Sequence, residues 1–332
     1  MFDDYLLKSN AVYDCIGSEP FSGSVAVKGN TILKVYHDGD HVDCIGPNTN
    51  VIELGDKMLM PGFVDAHVHY FMGGMFGSKY VCNDIVNSKS EAECVAMIKK
   101  FADENPDLDR IIGLGWFPSY WNDAPAPDKR SIDAVLPDRP VYLISADIHT
   151  FWCNSKALEE CGYYPDMPIA SGEIGTFENG EMNGMLYEPD AYQLAMNKVM
   201  ELPVDKMKAL HKEFLQHIAA CGITTISEMT ANGYNDTTLR NFRIIKELEQ
   251  EGDLTARLHL YTRLADCTDF STALEYKKEF CSPKLKMQGI KGFIDGVAST
   301  FTALTLEPYS DRPDTCGIGV PLRPKEELQK SV

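Results

Sequence analysis

From about residue 200 the chain alternates amphipathic helices with short β-branched runs, and that rhythm restricts the fold more than any other feature. Met207, Leu210, Phe214 and Ile218 fall on one helical face, Gly222 stops the helix, and ITTIS follows as a strand. A second helix carries Leu239, Phe242, Ile245 and Leu248 and ends at Gly252, before RLHLYTR at 257–263. A third, around 272–280, precedes GIKGFIDG at 289–296. Strands joined by helices pair in parallel through right-handed crossovers, which leaves a (β/α) barrel or a doubly wound sheet. The 332 residues exceed one ordinary core, so one large barrel or two domains are expected.

Ahead of that alternation the rhythm differs. Residues 20–60 read as short strands: Val25 and Val27, a Gly29-Asn30 hairpin turn, Ile32 to Tyr36, and Val51 to Leu54. Pro61-Gly62 then punctuates, and FVDAHVHY reads as a strand with Asp65, His67 and His69 on one face. Between about 90 and 190, Ser90 with Glu93 forms a capping box and Cys94, Met97, Ile98 and Phe101 recur at helical spacing. RIIGLGW and PVYLISA look like buried strands, and Asn179-Gly180 marks a hairpin, so this stretch reads as an α/β insertion with its own small sheet.

Composition excludes several functions. With 49 acidic against 31 basic residues the net charge is −18, which repels nucleic acid and anionic lipid headgroups. No basic apolar leader opens the chain and no apolar run approaches a membrane span, so a cytoplasmic location is expected. The ten cysteines are scattered without a CxxC, and we expect them reduced and mostly buried.

On a strand, residues two apart share a face, so His67 and His69 can aim two imidazoles at one cation. Two histidines at this spacing also occur by chance, and the spacing alone leaves both readings open. In GIKGFIDG, Lys291 alternates onto a face with Phe293 and Asp295. A lysine inside a barrel needs a partner, a depressed pKa or a covalent change. Carbamylation by carbon dioxide would make it an anionic oxygen donor able to bridge two metals; pairing with Asp295 is the alternative.

VIELGDKMLMPGFVDAHVH resembles the segment leading into the first barrel strand of the amidohydrolase superfamily. ADIHTFWCNSKAL (146–158), GITTISE (222–228) and GIKGFIDGVASTFTALTLEPYSD (289–311) are, in this order, similar to its YtcJ-like branch, the amidohydrolase 3 family, and the likeness runs to about residue 330. The resemblance implies an α/β protein: a (β/α)8 TIM-type barrel, only part of it here, with an N-terminal β-sandwich unit and an α/β insertion. The expected layout is residues 1–60 for the sandwich unit and 61–332 for the barrel, with the insertion at about 85–200.

The resemblance also implies one or two divalent metals, zinc foremost, and hydrolysis of an amide-like C–N bond in a small molecule. His67 and His69 match the first-strand ligands, and Lys291 lies on the strand of the bridging carboxylated lysine. His149, Trp152 and Asn154 match a motif near the active site and are candidates for substrate contact, with local packing the alternative. Trp116 and Trp121 could line the pocket or pack the insertion, and Asp295 could bond a ligand or hold a loop. Glu228 stands where relatives show an aspartate preceded by histidine, here Ser227. His211, His217 and His259 carry no ligand spacing and read as helix surface or satisfied packing, and His37 and His41 as a solvated turn.

The resemblance implies two further histidines and a proton-accepting aspartate on later strands. No histidine follows Lys291, and the remaining 41 residues are too few for four more βα units of about 25 residues each. GVPLRPKEELQKSV reads as the start of a helix. We therefore expect an N-terminal portion of a longer enzyme, or one completed by another chain. A non-catalytic binding or regulatory protein that retains the fold is the competing expectation, and homo-oligomerisation is left open.

Overall fold

The computed structural model describes residues 4–38, 40, 43, 45–121, 125–169, 172–229, 236–264, 270–292, 294–295, 303–310, 326, 329 and 330. His41, Phe293 and most of the C-terminal helix expectation lie outside them. The chain divides into two compact units, 1–64 with 222–224, and 65–221 with 225–332.

The first unit is a five-stranded sheet of β1 (Tyr5–Val12), β2 (Phe21–Lys28), β3 (Thr31–His37), β4 (Asn50–Glu53) and β5 (Met58–Leu59). The order is β3-β2-β1-β4, with β5 also pairing β1. Gly29 turns the β2–β3 hairpin at φ +56°, a left-handed conformation that glycine adopts without a Cβ penalty. Leu6, Ala26 and Tyr36 are its buried core. The described residues supply one sheet here, where the sequence suggested a sandwich.

Next come β6 (Phe63–Val68) and α1 (Tyr70–Phe76). The insertion follows with β7 (Val81–Cys82), α2 (Glu91–Glu104), β8 (Ile111–Trp116), α3 (Lys129–Asp133), β9 (Val141–Ser145), β10 (Thr150–Cys153), α4 (Ser155–Cys161), β11 (Glu173–Thr176), β12 (Met182–Tyr187) and α5 (Pro189–Val199). Its sheet runs β11-β12-β10-β9-β8-β7, parallel through β7–β8–β9 and antiparallel beyond. Helix α2 starts as its sequence indicates: Ser90 Oγ accepts the Glu93 N–H at 3.1 Å, while the Glu93 carboxylate accepts the Lys89 N–H at 2.7 Å. Its apolar face, with Cys94 and Ile98, packs on Ile111, Val141 and Leu143, all fully buried. Each such large side chain contributes about 1.5–3 kcal/mol of burial.

The rest is α6 (Val204–Ala220), β13 (Ile223–Glu228), α7 (Asp236–Glu251), β14 (Arg257–Arg263), α8 (Ser271–Glu279) and β15 (Leu285–Lys291). Strands β13, β14 and β15 pair in parallel, and the four-stranded sheet has the order β15-β14-β13-β6. This is the helix-crossover arrangement expected from the sequence, within a mixed α/β fold.

Three details differ from expectation. Strand β15 begins at Leu285 and ends at Lys291, earlier than GIKGFIDG suggested, because its register pairs Leu258 with Leu285 and Arg263 with Lys291. Of the seven described cysteines, none in a disulfide, Cys82, Cys94 and Cys153 are buried whereas Cys15, Cys221 and Cys281 are exposed. His211 is neither surface nor satisfied: it is fully buried and neither ring nitrogen has a hydrogen-bond partner among the described residues. Among the described residues, no helix is long and apolar enough to cross a membrane.

Candidate metal centre

Strand β6 delivers the histidine pair. Its approach is fixed by Gly62, where a Cβ would lie 2.2 Å from Thr224 Cγ2, and by the Phe63 N–H donating to the Gly222 carbonyl at 2.8 Å. Asp65 Oδ1 accepts the His67 N–H at 3.2 Å. The strand ends at Val68, so His69 stands at the N-cap of α1 rather than on the strand, and its carbonyl accepts the Gly73 N–H at 2.7 Å. One residue on, the buried Glu228 carboxylate at the end of β13 accepts the Tyr70 N–H, clamping the turn that carries His69. The sequence marks Glu228 as a family position but not its bond to Tyr70, because a contact across 158 residues has no local signature.

The His67 and His69 rings lie 5.6 Å apart, centroid to centroid, inclined at 68°. Two imidazoles on one tetrahedral zinc, with Zn–N distances of about 2.0–2.1 Å, place their centroids roughly 5 Å apart, so the pair is close to that spacing. His69 Nδ1 is buried without a hydrogen-bond partner among the described residues. Burial lowers the His69 pKa, and the charges of His67 and Lys291 lower it further. All three causes favour the neutral imidazole, the form that ligates metal. Lys291 stands at the last residue of β15.

The donor set is therefore two imidazoles with a lysine beside them. Among the described residues, no group of three or more His, Cys, Asp or Glu side chains is arranged to hold a metal. These residues fit part of a divalent site, and a cation held there needs donors beyond them.

The remaining candidates sit elsewhere. Asp295 lies beyond β15 and accepts the Leu304 N–H at 2.9 Å, so it holds a local loop and does not share a strand face with Lys291. Trp116, Trp121 and Trp152 form an aromatic cluster inside the insertion, with Trp116–Trp152 centroids 5.6 Å apart and exposures of 4% or less. The Trp152 indole N–H donates to the Asp128 carbonyl at 3.0 Å. Asn154 is fully buried: its Oδ1 accepts the Val141 and Ala157 N–H groups, and its Nδ2 donates to the Leu136 and Arg139 carbonyls. These side chains serve the insertion's own packing.

His149 is different. It is only half-buried, its Nδ1 lies 2.9 Å from Glu188 Oε2, and the backbone takes positive φ both at Glu188 itself, 69°, and at Ile148 just before His149, 63°. A β-branched residue at positive φ is strained, and the Tyr192 hydroxyl, donating to the Ile148 carbonyl at 2.9 Å, helps hold it.

Comparison with known proteins decides the family. The amidohydrolase family model Amidohydro_3 matches residues 50–332, most of the chain. The chain belongs to the amidohydrolase family. It is 27% identical over 323 residues to Protein LONG AFTER FAR-RED 3 of Arabidopsis thaliana, covering 96% of this chain and 54% of that protein. To Putative amidohydrolase YtcJ of Bacillus subtilis (strain 168) it is 27% identical over 275 residues, 82% of this chain and 50% of the relative. The amidohydrolase chain thus spans about half the length of these curated relatives. Its fold matches the crystal structure of an uncharacterized metal-dependent hydrolase from Pyrococcus horikoshii OT3 with a TM-score of 0.72 at 21% identity, over 98% of this chain and 62% of that one.

Proposed function

We propose that this amidohydrolase is a metal-dependent hydrolase of amide-like C–N bonds in small molecules, with His67, His69 and Lys291 holding the first part of its metal centre. The observation that carries the reading is His69 Nδ1, buried without a partner beside His67 and under the charge of Lys291. Leaving a buried polar nitrogen unpaired costs about 1–3 kcal/mol, a cost a coordinated cation removes.

Zinc is a metal that imidazole donors suit. A divalent cation bound there supplies Lewis-acid polarisation of a carbonyl and a water activated at neutral pH. The chain's own residues prepare that site: the neutral His69 offers a lone pair, Asp65 fixes the backbone of His67, and Glu228 fixes the turn behind His69. Lys291 enters as a carbamate in this reading: its amine adds carbon dioxide, loses a proton and becomes an oxygen donor. His149, oriented by Glu188, is the insertion's candidate for substrate contact. The four-stranded parallel sheet is read as the opening of a barrel, and the missing donors as residues outside this chain, which fits its coverage of about half of its relatives.

The test is amine release from a panel of N-acyl amino acids and N-substituted formamides by the full-length polypeptide, before and after chelation. Release that stops on chelation and returns with zinc supports the proposal; release indifferent to the chelator refutes it.

A further inference from the structure

A cavity of about 550 Å³ opens in the second unit, and none of the candidate metal ligands lines it. That volume lies within the roughly 300–1,000 Å³ of small-molecule sites. Its wall carries four cations, Arg110, Lys198, Lys206 and Arg240, against the carboxylates of Asp109 and Glu201. In a chain of net charge −18, a cavity with an excess of two positive charges runs against the overall field.

The four cations are not equivalent. Arg110 is committed: its Nη2 donates to Glu160 Oε1 at 2.8 Å and its Nη1 to the Lys198 carbonyl at 2.5 Å. Lys198 is paired with Glu201 at 3.1 Å. Neither Lys206 nor Arg240 makes an ion pair among the described residues, although the Arg240 charge reaches Glu201 across the cavity. Arg240 spends one Nη2 N–H on the Leu202 carbonyl at 2.6 Å, which pins the guanidinium to the cavity wall and leaves its other donors unspent among the described residues. Lys206 lies beside Asp205 in the first turn of α6, which begins after Pro203 without a side-chain cap. Tyr80, Leu108, Ile112, Leu202 and Pro203 give the same cavity apolar surface beside its charged groups.

We propose that this cavity is a second ligand site, which binds a small organic molecule through an oxyanion group, phosphate or carboxylate, held by Arg240 and Lys206. Arginine offers planar paired donors to such a group and lysine a point charge, the division of labour that oxyanion recognition uses. The ligand ties α7, which carries Arg240, to the start of α6 and to the segment ahead of β8.

Isothermal titration of the full-length protein with glycerol 3-phosphate and with succinate tests this, alongside R240Q and K206M. We expect saturable binding of at least one probe, weakened about tenfold or more in each variant, with metal content unchanged. Binding of glycerol 3-phosphate assigns a phosphate ligand, and binding of succinate alone a carboxylate. Should R240Q disturb folding by losing its bond to Leu202, K206M carries the test alone. Absence of saturable binding by both probes up to about 10 mM, or binding that both variants leave unchanged, overturns the proposal.

Discussion

His211 on α6 should make this protein acid-sensitive. The side chain is fully buried, its ring stacks on Tyr70 at 5.3 Å with planes 8° apart, and Phe71 meets it edge-on at 5.4 Å. Burial pushes its pKa down to about 3, against about 6.5 for an exposed histidine. The unfolded chain therefore takes up a proton at this residue as pH falls through 6.5, whereas the folded chain stays unprotonated there until pH nears 3. Protons favour the unfolded state across that window, and stability falls with falling pH. Between pH 7 and pH 5 the loss from this one residue is about 2 kcal/mol. The assay is thermal unfolding of the wild type and His211→Phe at both pH values, since phenylalanine preserves the stack and cannot titrate. In a chain of this size the wild type should lose about 2–4 °C more than the variant between pH 7 and pH 5. Equal losses in the two proteins would refute the reasoning, because every other titrating group is common to both.

Other outcomes follow from close contacts and from hydrogen bonds. Gly62→Ala should destabilise by about 1–3 kcal/mol through collision with Thr224, read as a lowered midpoint in urea, and Thr224→Ala should recover part of the loss in the double variant. Asn154→Ala should cost about 3 kcal/mol, because it uncaps α4 and strands the buried N–H of Val141 and the carbonyls of Leu136 and Arg139, as a thermal melt would show.

What the sequence disclosed follows from the range of the interactions involved. Helix α6, its stop at Gly222 with φ 76°, and the strand RLHLYTR were readable because helical periodicity, a left-handed glycine and period-two alternation are local signals. Strand β1 was not foreseen, since its partners β2, β4 and β5 all lie later in the chain. The displaced start of β15 is set by its register on β14, which is likewise not a local signal. Ile290 and Ile294 advertise an apolar run, but both are exposed, while Leu285 and Met287 are the buried positions that pairing with β14 selects. At the candidate centre the HxH spacing was visible, whereas the Glu228 clamp and the burial of His69 Nδ1 depend on tertiary packing. The motif around ADIHTFWCNS was legible as a motif, yet Trp152 and Asn154 spend their polar atoms on the insertion's own structure, and His149 alone keeps an accessible ring.

If His67 and His69 hold a metal, replacing either must empty the centre in part or whole. Elemental mass spectrometry of the purified full-length polypeptide, beside His67→Ala and His69→Ala, tests it most directly. One or two equivalents of a divalent metal per wild-type chain are expected, with a loss of at least one equivalent in each folded variant. Metal content that neither substitution changes, or a wild-type protein that takes up no zinc, manganese, iron or cobalt on reconstitution, would contradict it.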